Sequence, residues 1–169
     1  MELRGRHVIL RPTTPDDAPA LLEILTEPEV ARWWGEFDLE RVNAELIEGD
    51  PDESPFVIEL DGAVIGYIQA VEEDERDFRH AGIDLFLRSD VQGRGLGPDA
   101  VRALAIHLID GRGHHRLTID PAADNARAIA AYAKVGFRPV GTMRRYQRMR
   151  DGRWADALLM DLLAAELVR

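Results

Sequence analysis

Gln92-Gly93-Arg94-Gly95-Leu96-Gly97 constrains this chain more than any other stretch. Before it, the apolar run Gly82-Ile83-Asp84-Leu85-Phe86-Leu87 reads as a buried strand. After it, Val101, Leu104, Ala105, Leu108 and Ile109 recur at helical spacing between Asp99 and Ile109. The glycines therefore stand between a strand and a helix. Lacking β-carbons, they let the main chain turn tightly, so that the unpaired N–H groups of the first helical turn aim at one anion, where the helix dipole favours negative charge. Pro98 fits such a turn, which has donors to spare. The loop lacks the Lys-Ser/Thr ending of a P-loop and is shorter than the dinucleotide fingerprint, which argues against ATP and NAD. A pyrophosphate cradle and a tight loop without a ligand are the two readings that remain.

Around this loop the chain reads as α/β. Arg6 to Arg11 is a first strand, ended by Pro12, and Thr14-Pro15 opens a helix carrying Ala18, Leu21, Leu22 and Leu25. Pro28 restarts the chain toward Trp33-Trp34-Gly35. Two adjacent tryptophans on a helix cannot share one core stripe, so either one packs inward with the other open to a ligand, or both are core or shield each other. Leu39 to Ile47 is a weak amphipathic helix. Asp61-Gly62 between two β-rich runs signals a type I′ hairpin.

Farther on, His115 to Ile119 reads as a strand and Asn125 to Lys134 as a helix with Ala126, Ile129, Ala130 and Ala133 toward the core. Gly136 to Gly141 is a short strand, Met143 to Arg150 a basic connection, and Trp154 to Leu163 the last strand. The expectation is one domain over residues 1–169, with a mixed sheet of about six to seven strands flanked by helices.

Composition narrows the partners. Thirty-one acidic residues against 21 Lys plus Arg give a net charge of −10, a surface that repels phosphate backbones and attracts cations. Nucleic acid is therefore not expected, whereas a cationic small molecule is. Acidic residues crowd Glu36 to Glu53 and Glu72 to Asp77, which read either as cation-attracting or as solvated faces. The absence of Cys removes disulfides and thiolate sites, and the scattered histidines leave no metal centre. With no apolar run of membrane-spanning length, the expectation is a cytoplasmic protein without membrane contact, either monomer or homodimer.

Asp84 stands out because a carboxylate inside an apolar strand is costly unless it has a partner. Either it bonds a neighbouring group, or it faces a cleft, binds an ammonium and receives its proton. Asp120, at the end of the next strand, is a second anionic contact or simply caps the turn before Pro121.

The loop's Q-x-x-G-x-G pattern resembles the acetyl-coenzyme A loop of the GNAT superfamily of N-acetyltransferases. Asn125 to Phe137 resembles that family's second signature, with Asn125, Ala128, Tyr132, Gly136 and Phe137 all matching. Gly82 to Phe86, Thr118-Ile119-Asp120-Pro121 and Trp33-Trp34-Gly35 look like the corresponding stretches of the aminoglycoside 6′-N-acetyltransferases. The resemblance runs from about Leu3 to the last strand.

It implies a GNAT-like fold and acetyl-coenzyme A as cofactor. The cofactor would lie along Leu85, Phe86 and Leu87, on the loop from Gln92 through Gly93, Arg94, Gly95, Leu96 and Gly97 to Pro98, and against Asn125, Ala128 and Tyr132. It further implies acetyl transfer to a primary amine of an amino sugar by direct attack, with Asp84 and Tyr132 as base and acid. Trp33, Trp34, Glu36, Asp84 and Asp120 would meet the acceptor. Similar patterns occur in siderophore-type lysine or hydroxylysine acyltransferases, which tend to carry His at the place of Asp84, and in protein N-terminal acetyltransferases, whose Leu-Arg-Pro opening Leu10-Arg11-Pro12 resembles.

Overall fold

A computed structural model describes residues 1–169. Eight strands form one sheet: β1 (Leu3–Arg4), β2 (Ile9–Pro12), β3 (Glu53–Leu60), β4 (Ala63–Glu73), β5 (His80–Leu87), β6 (Arg116–Ile119), β7 (Arg138–Arg148) and β8 (Trp154–Leu163). Their spatial order is β1-β2-β3-β4-β5-β6-β8-β7. Every pairing is antiparallel except β5 with β6. The sheet is thus mixed, with one strand more than expected, because the first strand region is a small hairpin of β1 and β2. The hairpin at Asp61-Gly62 has positive φ at both turn positions, 52° and 80°.

Five helices cover the two faces. On one side α1 (Ala18–Thr26), α2 (Pro28–Trp34) and α3 (Leu39–Val42) pack Leu21, Leu25, Val30 and Val42 onto Val57, Tyr67 and Phe86. On the other, α4 (Leu96–Ile106) buries Ala100, Val101 and Leu104 against Ile58, Ile68, Ile83 and Leu117. α5 (Ala126–Ala133) joins this second layer only through the half-buried Ile129 and Tyr132. The expected core stripe of α5 is corrected here: Ala126, Ala130 and Ala133 are exposed, because this helix walls an open cleft.

Met143 to Arg148, expected as a connection, belongs to β7. Its four arginines and two exposed faces suit an edge strand, which periodicity cannot reveal. Glu72 is also not on a solvated face. It is buried beside His114, whose Nε2 lies 2.6 Å from Oε2, and Arg112 binds its other oxygen at 3.0 Å.

The start of α4 is pinned by Asp99, 3% exposed, whose carboxylate accepts the main-chain N–H groups of Arg6 and His7 at 2.8 Å and of Val8 at 3.2 Å. A carboxylate so buried is offset by three amide donors, and the β1–β2 turn is thereby fixed to the helix that follows the glycine loop. Asp99→Ala orphans all three donors. It should lower stability by at least about 3 kcal/mol, or roughly 10 °C in Tm. A thermal melt within about 2 °C of the parent would show that water replaces the carboxylate there.

Candidate active site

Three local features meet at the middle of the sheet. The first is the loop. Gly93 and Gly95 adopt φ of 75° and 81°, in the left-handed region that residues with a β-carbon enter only at a cost. The turn leaves the N–H groups of Gly93, Arg94 and Gly95 without main-chain acceptors, and those of Leu96 and Gly97 follow in the unpaired first turn of α4. Gln92 braces the loop: its Nε2 donates to the Leu87 carbonyl at 2.9 Å, and its Oε1 accepts from Arg127 at 3.0 Å.

The second feature is a splayed strand pair. β5 pairs with β4 from His80 to Leu87, but with β6 only at Ala81 and Gly82. The Arg88 N–H still turns toward β4, bonding the Ile65 carbonyl. Main-chain groups alternate along a strand, so those of Leu87, Leu85 and Ile83 point the other way, into the gap where β6 has diverged.

The third is α5. Asn125 caps it, its Oδ1 accepting the Ala128 N–H at 3.2 Å, which leaves the side-chain amide free. At the other end Gly136, φ 116°, is required because a β-carbon would stand 2.3 Å from the Glu166 carbonyl oxygen. That close turn seats Phe137 in the core and Tyr132 edge-on to it, centroids 6.4 Å apart.

Two cavities open between these features. One, of about 500 Å³, runs along the glycine loop and the exposed alanines of α5 to Lys134. The other, of about 340 Å³, holds Asp84, Asp120, Tyr146 and Gln147. Trp33, Trp34, Leu85, Asn125, Ala128 and Tyr132 line both, so the cavities adjoin, with Leu85 and Tyr132 at their junction. The structure thus brings together Asp84, Asp120, Tyr132, both tryptophans and the β5 edge.

Trp34 packs inward, 5.0 Å from Phe86 and edge-on, while Trp33 lies under Arg32. Phe86 also stacks on Tyr67. Two expected residues stand apart. Leu96 sends its side chain into the core, so that only its main chain is available to a ligand, and Glu36 is paired with Arg150 at 2.8 Å and lines neither cavity. Arg94 contributes an N–H to the loop, but the cavity wall is formed by Gln92, Gly93, Gly95, Gly97 and Pro98. Tyr146 and Gln147 are not marked in the sequence, because their segment has no alternating strand pattern.

The electrostatics of the second cavity follow from its burial. Desolvation pushes the Asp84 carboxyl up to about 6, and the Asp120 charge adds to this. The Gln69 amide, directly across β4–β5, pulls the other way, and Glu53 raises it slightly. Gln69 in turn accepts the Tyr67 hydroxyl at 2.6 Å. Asp120 is also raised, by burial, against a hydrogen bond from the Tyr146 phenol. Burial and then the charges of Asp84 and Asp120 hold Tyr132 well above the ordinary phenol range, so its hydroxyl keeps its proton. The arrangement offers one carboxylate titrating near neutrality and one phenol that only donates, on either side of an open main-chain edge.

A row of free amides at a helix start, a splayed parallel pair and an acid-lined second cavity thus adjoin at the middle of the sheet. The family model described as "Acetyltransferase (GNAT) domain" matches residues 7–138, and the chain belongs to that family. Acetyl-coenzyme A is its cofactor. The chain is 32% identical over 153 residues to an aminoglycoside N(6′)-acetyltransferase type 1 of Klebsiella pneumoniae, covering 80% of this chain and 76% of the relative. It is 26% identical over 162 residues to a spermidine N(1)-acetyltransferase of Escherichia coli K12, covering 92% and 86%. Among solved structures, Mycobacterium smegmatis RimJ in complex with CoA-disulfide aligns with a TM-score of 0.82 at 28% identity, over 100% of this chain and 88% of that one.

Proposed function

We propose that the protein transfers acetyl from acetyl-coenzyme A to a primary amine of a polycationic amino sugar, the 6′-amine of an aminoglycoside. The observation that carries this reading is the junction of the two cavities. A donor lying on the free amides of residues 93–97 reaches it from one side, and an ammonium drawn by Asp84 and Asp120 reaches it from the other. The relative at 32% identity supports the choice of acceptor.

In this reading the amides of Gly93 to Gly97 hold the pyrophosphate of the donor, and the free Asn125 amide and the β5 edge align its arm. Asp84 takes a proton from the substrate ammonium, directly or through water, since only the neutral amine is a nucleophile. The Leu85 N–H donates to the thioester carbonyl oxygen. As the C–N bond forms and the C–S bond breaks, the Tyr132 hydroxyl gives its proton to the departing sulfur, and the second proton that the nitrogen sheds in becoming an amide returns to the Tyr132 oxygen, directly or through water. No covalent enzyme intermediate is needed, and holding the two reactants together supplies much of the acceleration.

A second reading, acetylation of a linear polyamine, is favoured by the spermidine acetyltransferase relative and would use the same carboxylates. Coenzyme A release with kanamycin, tobramycin, a 6′-hydroxyl aminoglycoside, spermidine and lysine separates the two. Turnover with the 6′-amino compounds and none with the 6′-hydroxyl one is the expected result. Turnover with spermidine or lysine alone would replace the amino sugar by the linear amine.

A further inference from the structure

β7 loses register with β8 in the segment above the acceptor cavity. Met143 stands opposite Ala157 and Gln147 opposite Ala155, so Arg144, Arg145 and Tyr146 together face Asp156 alone. At the centre of this bulge Arg145 has φ 49°, a left-handed conformation strained for a residue with a β-carbon. Asp156 holds it there, its Oδ1 accepting the Arg145 N–H at 2.8 Å. Asp156 is itself fixed, because its carbonyl accepts the Ala123 N–H at 2.8 Å and the next residue, Ala157, bridges to Ala122.

The bulge has a geometric consequence. Neighbouring residues of a regular strand project to opposite faces, yet Tyr146 and Gln147 both line the acceptor cavity. Tyr146 shares the cavity with Asp120, whose carboxylate raises the phenol, while the residue stays 51% exposed, which leaves ring surface open. Gln147 donates its Nε2 to the Trp33 carbonyl at 2.8 Å, satisfying a group left unpaired in the last turn of α2. Tyr146 and Trp33 thus line one cavity with the carboxylates of Asp84 and Asp120, and the Gln147 bond fixes the backbone of Trp33 there.

We infer that the β7 bulge is the acceptor-selecting element, making Tyr146 and Trp33 a pair of aromatic walls that favour an amine carried on a saturated ring over a linear polyamine. The inference rests on the amine-acetylating reading above. A sugar ring offers a flat C–H face to an aromatic surface and its ammonium to a carboxylate or a π face. A linear polyamine satisfies the carboxylates equally well, but it loses more conformational freedom on being held. Asp156 touches no substrate in this scheme and acts as a positioning residue, through the bulge.

The test is steady-state kinetics with kanamycin, spermidine and acetyl-coenzyme A on the parent protein and on Asp156→Ala, Asp156→Asn and Tyr146→Ala. Asp156→Ala should raise the KM for kanamycin roughly tenfold, leaving kcat within about twofold and the KM for acetyl-coenzyme A unchanged. Asp156→Asn keeps an oxygen for the Arg145 N–H and should restore the parent value. Tyr146→Ala should lower the kanamycin-to-spermidine ratio of kcat/KM about tenfold. This variant decides the matter if Asp156→Ala fails to fold. Equal losses for both acceptors, or a parent protein that already prefers spermidine, would overturn the inference while leaving amine acetylation standing. A parent protein that acetylates neither compound overturns the proposed function first, and the inference with it.

Discussion

Asp84→Asn is expected to abolish acetyl transfer and, at pH 8, to make the protein more stable. The two effects share one cause. Desolvation inside the strand, with Asp120 nearby, raises the folded-state pKa of Asp84 to about 6, which suits a base working near neutrality. Asparagine cannot accept the ammonium proton, so kcat/KM should fall by about 10²- to 10⁴-fold, the usual worth of such a group. In the parent protein kcat/KM should decline below about pH 6, as Asp84 becomes protonated.

Stability runs the opposite way. A carboxyl whose pKa is raised on folding stabilises the fold only while it is protonated. That advantage is complete below its unfolded value and is lost as pH climbs through the folded one. At pH 8 the buried charge costs at most about 3 kcal/mol, discounted for the solvent that reaches this partly open cleft. The Tm difference between Asp84→Asn and the parent should therefore be largest at pH 8 and vanish near pH 4. Loss of activity with a parallel fall in Tm at every pH would assign Asp84 a structural bond instead.

That Asp84 could be picked out in the sequence follows from its surroundings: a lone charge between Ile83 and Leu85 breaks an apolar run. The loop was legible for a similar reason, since the glycines at 93 and 95 encode a backbone conformation that other residues resist. Spacing alone also located α5, but it misjudged which way that helix faces. An alanine stripe looks the same whether it meets a core or walls a cleft, and Ala126 and Ala130 do the latter.

Other parts were hidden because their meaning depends on distant partners. Asp99 in a first helical turn reads as an ordinary favourable charge, and only the fold brings the amides of Arg6, His7 and Val8 to it. Tyr146 lies among arginines on an edge strand whose faces are both exposed, so no alternation marks it, and the bulge that turns it inward is set by Asp156 across the hairpin. The acidic run from Glu36 to Glu53 was visible, yet much of it serves local structure: Asp38 caps α3, Glu45 pairs with Arg41, and Glu53 accepts the Asp50 N–H.

Tyr132→Phe removes one hydroxyl at the junction of the two cavities and should lower kcat by about 10²-fold or more, with the KM for acetyl-coenzyme A nearly unchanged. The phenol is suited to donate because burial and the nearby Asp84 and Asp120 charges hold its proton on at all working pH values. The ring's edge contact with Phe137 is kept by phenylalanine, so packing and the seating of α5 should survive the change. Two measurements separate an acid from a packing residue. Binding of coenzyme A by titration calorimetry should match the parent, and the deficit should shrink with an acetyl thioester whose thiol has a lower pKa, because such a leaving group needs less help from an acid. An equal loss in cofactor affinity and in turnover, insensitive to the leaving group, would assign Tyr132 to the wall of the cleft and leave the departing sulfur to be protonated by water.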